Sequence, residues 1–308
     1  MARTRFRSDI GLTARMTSVM FLLGAIFVVL IVALMFVLPA AWTPIIGVIG
    51  LGIAWGQWYF SDTVAMKAMR AREVSPEEAP ELHGMIDRLC ALADMPKPRV
   101  GVADLSLPNA FATGRSPERS VVCVTTGILG LLTADEMEAV LAHELSHVAH
   151  RDVTVMTIAS TAGIVAGMLT RGAQYGMFFG GGRRNNNTGG VPVWVIVLVV
   201  SLVVYAVSFF LTRLLSRYRE LCADRSGAYL TLKPQALATA LQKISGNMNA
   251  IPDRDLRSVG SMNAFFISPA VKAGFSQLTS THPSLEQRLE QLAKIQAELG
   301  RPDGSPAS

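Results

Sequence analysis

Between Arg15 and Asp62 the chain has no charged residue. A helix in a soluble core rarely runs so long without one, so this stretch limits the possible folds more than any other feature. Ser18 to Leu38 is long enough to cross a bilayer, and Trp42 to Phe60 can return after the helix break at Pro39 and Pro44. Trp42, Trp55, Trp58 and Tyr59 suit the membrane interfaces. Val191 to Thr212 is a further uncharged run. Val153 to Thr170 is shorter and rich in Ala, Gly, Ser and Thr, which favour close helix packing in a membrane. A buried core helix is the alternative there. With 50% hydrophobic and 17% charged residues and a mean hydropathy of +0.37, the chain does not read as an ordinary soluble protein. The first run is too long for a cleaved signal peptide, and a second follows it at once.

Basic residues set the expected orientation. Arg3, Arg5, Arg7 and Arg15 precede the first run, Lys67, Arg70 and Arg72 follow the second, and Arg213, Arg217 and Arg219 follow the last. The positive-inside rule puts both termini and both polar blocks in the cytoplasm. Arg183 and Arg184, in a Gly/Asn loop over 176–190, point weakly the other way. This bias explains most of the net charge of +5. No basic patch with interleaved aromatics is present, so nucleic acid is not expected as a partner. Cys90, Cys123 and Cys222 form no C-x-x-C pair and fit a reducing compartment. Cys222 is kept as a minor candidate for a metal ligand.

The chemistry sits in Leu141-Ala142-His143-Glu144-Leu145-Ser146-His147. Histidines four apart share one helix face, so both imidazoles can grip one metal ion. Glu144 stands about a quarter-turn round, where a base must be to take a proton from a water on that metal. This is the H-E-x-x-H zinc-peptidase spacing. Thr133 can cap the helix, whose first turn is acidic and whose buried stripe is Met137, Val140, Leu141, Leu145 and Val148. Two solvated histidines on an ordinary helix are the bland alternative. The metzincin third histidine would fall at Val153 and its glycine at His150, so that subclass is excluded. His150 itself lies about 10 Å along the helix from His143, and reads as a surface or membrane-proximal residue.

The polar sequence falls in two blocks, residues 61–152 and 214–308. They are separated by residues 153–213 and preceded by an arm and hairpin over 1–60. The first block predicts a helix over Pro76–Ala93 and strands over Arg99–Ala103 and Ser120–Thr125. A third strand is predicted over Leu107–Gly114, ending in a glycine turn. The second block is largely helical, ends at Ser284–Leu299 and has a Gly/Pro/Ser tail expected to be disordered. It carries the best candidate for a third ligand, Glu220, with Asp224 four residues on and so on one helix face. Such a helix facing H-E-x-x-H gives the gluzincin set of two histidines and a glutamate, with Asp224 free to fix a histidine tautomer. Pairing of both acids with nearby arginines is the competing reading.

Taken in order, the chain's motifs resemble the HtpX family of membrane zinc metallopeptidases, which is related to the prenyl-protein proteases. The matching segments are Asn109-Ala110-Phe111-Ala112-Thr113-Gly114, Val124–Leu129, His143–His147, Arg219–Asp224 and Thr281-His282-Pro283. The likeness covers nearly the whole chain. It implies a mainly α fold with a small β-sheet: a polytopic membrane protein whose four transmembrane helices carry a gluzincin-type zinc metallopeptidase domain assembled from the two cytoplasmic blocks. It implies one Zn2+ per chain on His143, His147 and Glu220, with Glu144 as the base. Asn109, Ala110, Phe111 and Ala112 would form an edge strand for an extended substrate. His282 is a candidate to stabilise the oxyanion, a role Tyr218 or Arg217 could share. On residues alone it is a neighbour of a helix N-terminus.

The implied activity is cleavage of misfolded or damaged membrane proteins, or other unfolded polypeptides, at the cytoplasmic face of a bacterial-type inner membrane. Prenyl-protein processing and a catalytically idle membrane scaffold are the alternatives. An intramembrane protease fits poorly, because Asp135, Glu136, Glu138, Arg151 and Asp152 bracket the motif.

Overall fold

A computed structural model describes residues 10–37, 42–179, 193–250 and 280–300. Arg3, Arg5, Arg7, Pro39, Arg183, Arg184 and the C-terminal tail lie outside these residues. Two compact units result: one gathers 58–154 and 216–308 with the N-terminal arm, the other 14–57 and 155–215.

The first unit is built on a four-stranded mixed sheet. Its strands are β1 (Ala71–Glu73), β2 (Arg99–Ala103), β3 (Ala110–Gly114) and β4 (Ser120–Thr125), in the order β1-β2-β4-β3. β2 and β4 run parallel, while β1 and β3 are antiparallel edge strands. β4 is buried along its whole length, which suits its β-branched run. Alternation sends Val122, Val124 and Ala110 into the main core and Cys123 and Phe111 into a small second one. The second core is closed by Ala65 and Met69, at the end of the short helix α3 (Ser61–Ala68).

The main core is filled from one side of the sheet by α4 (Pro80–Ala93) and α6 (Ala134–Ala149). Onto α6 packs α9 (Pro234–Ala250), and onto α9 packs α10 (Leu285–Leu299). A short α5 (Thr126–Leu131) links β4 to α6. The Thr125 hydroxyl accepts from the backbone N–H of Ile128 in α5 and from that of Asn109, fixing the approach to β3. α6 opens on a capping box: Thr133 accepts from the Glu136 backbone, and Glu136 from that of Thr133. Lys243 of α9 also donates to Glu136, while Arg88 of α4 and Lys233 both donate to Glu138.

The second unit is a bundle of apolar helices. It holds most of α1 (Ile10–Val37) and α2 (Trp42–Tyr59), all but the first turn of α7 (Asp152–Phe179), and the first part of α8 (Val193–Thr231). α7 and α8 meet through small residues: a Cβ at Gly163 or Gly167 would touch Ser208 or Tyr205 at 3.4 Å. Thr170 and Ser201 share a hydrogen bond of 3.0 Å between them. Large apolar side chains face outward, with Phe21 75% and Val48 71% exposed, as lipid-facing positions would be. Three helices among the described residues are long and apolar enough to cross a membrane: Ile10–Ala33, Asp152–Gly172 and Trp194–Thr231.

Sequence boundaries shift in three places. α4 starts at Pro80 rather than Pro76, because Pro76 to Ala79 form a turn and Pro80 takes the first helical position. β1 is not predicted at all; it is three residues long, polar and half exposed. The last apolar run and the Glu220 segment form one uninterrupted helix of 39 residues.

Thr133→Ala removes one arm of the capping box at the head of α6. It is expected to cost about 1 kcal/mol, read as a lowered Tm of the detergent-solubilised protein.

Candidate metal centre

α6 carries His143 and His147 on one face, and α8 brings Glu220 against them. The two Nε2 atoms lie 3.1 Å apart. Glu220 Oε2 is 3.6 Å from His143 Nε2, and Oε1 is 3.4 Å from His147 Nε2. Donors about 2.1 Å from a tetrahedral ion stand about 3.4 Å from one another, so three sides of such a site are present. Two neutral imidazoles and a carboxylate form a donor set that could hold a metal.

The outward ring nitrogens are held as well. His143 Nδ1 is 2.9 Å from Asp224 Oδ1, and His147 Nδ1 is 2.7 Å from Asp152 Oδ2. A carboxylate at Nδ1 keeps the proton there and leaves Nε2 as a lone pair facing its partner. Asp224 is wholly buried, and Arg288 of α10 grips both its oxygens, at 2.7 and 2.6 Å. The Arg288 Nη1 also approaches Glu220, at 3.7 Å. Burial opposes the Arg288 charge, but the Asp224 and Glu220 carboxylates hold its pKa above the ordinary value. Glu144 is 4% exposed, and burial pushes its carboxyl up against the opposing pull of His143 and His147.

The approach of α8 to α6 depends on Gly227. A Cβ there would stand 2.9 Å from the backbone nitrogen of His143 and 3.2 Å from Ala142 C. Only a residue without a side chain lets the two helices meet at the first histidine.

Of the other residues singled out in the sequence, His282 lies with Nδ1 3.2 Å from Glu220 Oε2, beside the acid of the group. Asn109 is fully buried next to the edge strand β3, which contains Ala110, Phe111 and Ala112. His150 ends α6, where its Nδ1 meets the Ser146 carbonyl at 2.8 Å, and it is not in the metal group. Cys222 is not in that group either. Burial pushes the Cys90 and Cys123 thiols up to about 11 and about 12, so neither is a ready thiolate. Asp152, Arg288 and Gly227 were not read from the sequence as parts of the site. The one available signal was Arg288 six residues beyond His282, and its meaning depends on the fold.

Residues 76–296 match peptidase family M48. The chain belongs to that family. Within it, the chain is 52% identical over 300 residues to Protease HtpX homolog 1 of Streptomyces coelicolor, with 97% of each chain covered. It is 49% identical over 301 residues to a Protease HtpX homolog of Moorella thermoacetica, covering 96% of this chain and 98% of that one. Protease HtpX homolog 2 of Methanosarcina acetivorans is 46% identical over 299 residues, covering 96% and 99%. The fold is similar to that of Ste24p from S. mikatae, at a TM-score of 0.53 and 20% identity, over 87% of this chain and 62% of that one. This HtpX-type M48 chain is thus a membrane-bound metalloprotease.

Gly227→Ala is expected to cost about 1–3 kcal/mol through overpacking and to weaken metal binding, because the backbone it meets is that of His143, a member of the candidate metal group. Thermal unfolding of the metal-free protein and a metal titration measure the two effects.

Proposed function

We propose that the chain is a zinc-dependent endopeptidase with four membrane spans that cuts misfolded or damaged membrane proteins. Its termini and active site face the cytoplasm of a cell with a bacterial-type inner membrane. The observation that carries the reading is the convergence of His143 Nε2, His147 Nε2 and the Glu220 carboxylate within 3.1 to 3.6 Å. The spans in this reading are α1, α2, α7 and residues 193–212 of α8. Lys67, Arg70, Arg72, Arg213 and Arg217 favour the cytoplasmic side for the peptidase unit.

Zinc, when bound, supplies Lewis acidity to water and to the scissile carbonyl. The remaining work falls to side chains. Glu144, between the two histidines on α6, takes the proton of the attacking water and returns it to the leaving amine. Asp224 holds His143 in the ligating tautomer. His282 stands beside Glu220, and its second ring nitrogen is the candidate donor to the oxyanion, with Tyr218 and Arg217 as alternatives. Asn109 to Ala112, at the sheet edge, would take an extended substrate backbone as an added strand, which gives affinity with little sequence preference. Charged residues around α6 support a wet site rather than one within the bilayer: Asp135, Glu136 and Glu138 pair with Lys233, Lys243 and Arg88.

Glu144→Gln is expected to retain one zinc per chain and to lose about 10²–10⁴-fold in cleavage of an unfolded protein such as casein. His143→Ala should lose the metal itself, as read by elemental analysis. Wild-type cleavage by Glu144→Gln would remove Glu144 from the chemistry, and a wild-type protein with neither zinc nor activity would point to a scaffold. Proteins trapped in membranes by Glu144→Gln identify the substrate class. Membrane proteins support quality control, and prenylated chains support processing.

A further inference from the structure

His147 is held by a carboxylate that no ligand motif includes. Asp152 opens α7, five residues after His147 and beyond the end of α6 at Ala149. Between them Arg151 takes a left-handed conformation, with φ 55°. A side chain rarely adopts that backbone without a reason. Here the turn brings Asp152 Oδ2 to 2.7 Å from His147 Nδ1. The other oxygen of Asp152 meets the guanidinium of Arg219, the residue before Glu220 on α8. Arg219 also donates to the His150 carbonyl at the end of α6, at 3.4 Å. The Asp152 and Arg219 side chains are only 14% and 8% exposed, so water cannot readily take the place of either partner.

We propose that Asp152 and Arg219 are positioning residues for His147. Asp152 keeps the imidazole proton on Nδ1 and turns Nε2 towards His143 and Glu220; Arg219 fixes Asp152 in turn. This arm parallels the one in which Arg288 fixes Asp224 against His143. Each histidine is therefore held by an aspartate, and each aspartate by an arginine from another helix. The arms differ in strength. Arg288 binds Asp224 through two hydrogen bonds in a fully buried setting, whereas the His147 side chain keeps 16% of its exposure against 1% for His143. The His147 arm is the one whose loosening lets the metal go.

The inference rests on the metal reading of His143, His147 and Glu220. Its test uses the full-length chain in detergent micelles, with Asp152→Asn, Arg219→Gln, Arg219→Lys and the double variant Asp152→Asn/Arg219→Gln. Zinc affinity is measured by chelator competition and Tm on the metal-free protein. Asp152→Asn should weaken zinc by about 10- to 100-fold. Arg219→Gln should act in the same direction, and Arg219→Lys should restore part of the loss. The double variant should match Asp152→Asn in zinc affinity while its Tm returns towards wild type, because neither buried charge is left alone. A merely structural pair gives the opposite pattern, with zinc affinity following Tm and recovering in the double variant, and that result overturns the proposal. So does wild-type zinc affinity in Asp152→Asn. If Asp152→Asn does not fold, the double variant decides against wild type: zinc affinity lowered about 10- to 100-fold supports the proposal, and wild-type affinity overturns it. A wild-type chain that binds no zinc removes the metal reading itself, and that failure is distinct from a wild type that binds zinc and variants that bind it equally well.

Discussion

Asp224 has no solvent-exposed surface, and the helices around the metal centre are arranged to neutralise it. Removing a carboxylate from water costs several kcal/mol, and the cost is offset only by a partner of good geometry. Arg288 meets it with a two-pronged grip across 64 residues of sequence, and His143 Nδ1 stands 2.9 Å from one of its oxygens. Arg288 of α10 thus offsets the burial of Asp224 on α8, and Gly227 lets α8 approach α6 at His143. His143, His147 and Glu220, which could hold a metal, meet where one buried ion pair and one missing side chain bring three helices together.

Local patterns were legible in the sequence, and contacts that depend on tertiary structure were not. The i, i+4 spacing of His143 and His147 is a property of a single helix, as is that of Glu220 and Asp224, so sequence alone proposes both pairs. Thr133 as the cap of α6 is equally local; Ser284, read as the first residue of the last helix, is instead its cap, and each forms a capping box. β2 and β4 announce themselves by β-branched residues. β1 does not, since Ala71-Arg72-Glu73 becomes a strand only because β2 offers it an edge. Asp152 was read merely as a charge flanking the motif. Its contact with His147 exists because Arg151 turns the chain through a conformation that sequence patterns do not favour. Gly227 looks like a weak point in a helix until the neighbouring backbone is seen.

The apolar unit obeys a different solvent rule from the peptidase unit. Outward-facing Phe21, Val48, Leu51 and Ile158 would be a liability in water, whereas in lipid they are at no disadvantage. Burial of apolar surface gives those helices little reason to associate. Their contacts include Gly163, Gly167 and the Thr170–Ser201 hydrogen bond, which reward close approach, beside a packed cluster of Leu30, Val165, Leu169, Val197 and Val204.

α8 is one continuous helix from Val193 to Thr231, about 58 Å long at 1.5 Å per residue. Its apolar opening and its acidic end consequently share a single rotational phase. Inserting or deleting one residue between Glu220 and Gly227 would swing the carboxylate by about 100° relative to the close approach at Gly227. Substitutions along that stretch can be absorbed one side chain at a time, but a change in its length cannot. The spacing of Glu220, Asp224 and Gly227 along this helix is therefore as constrained as the residues themselves.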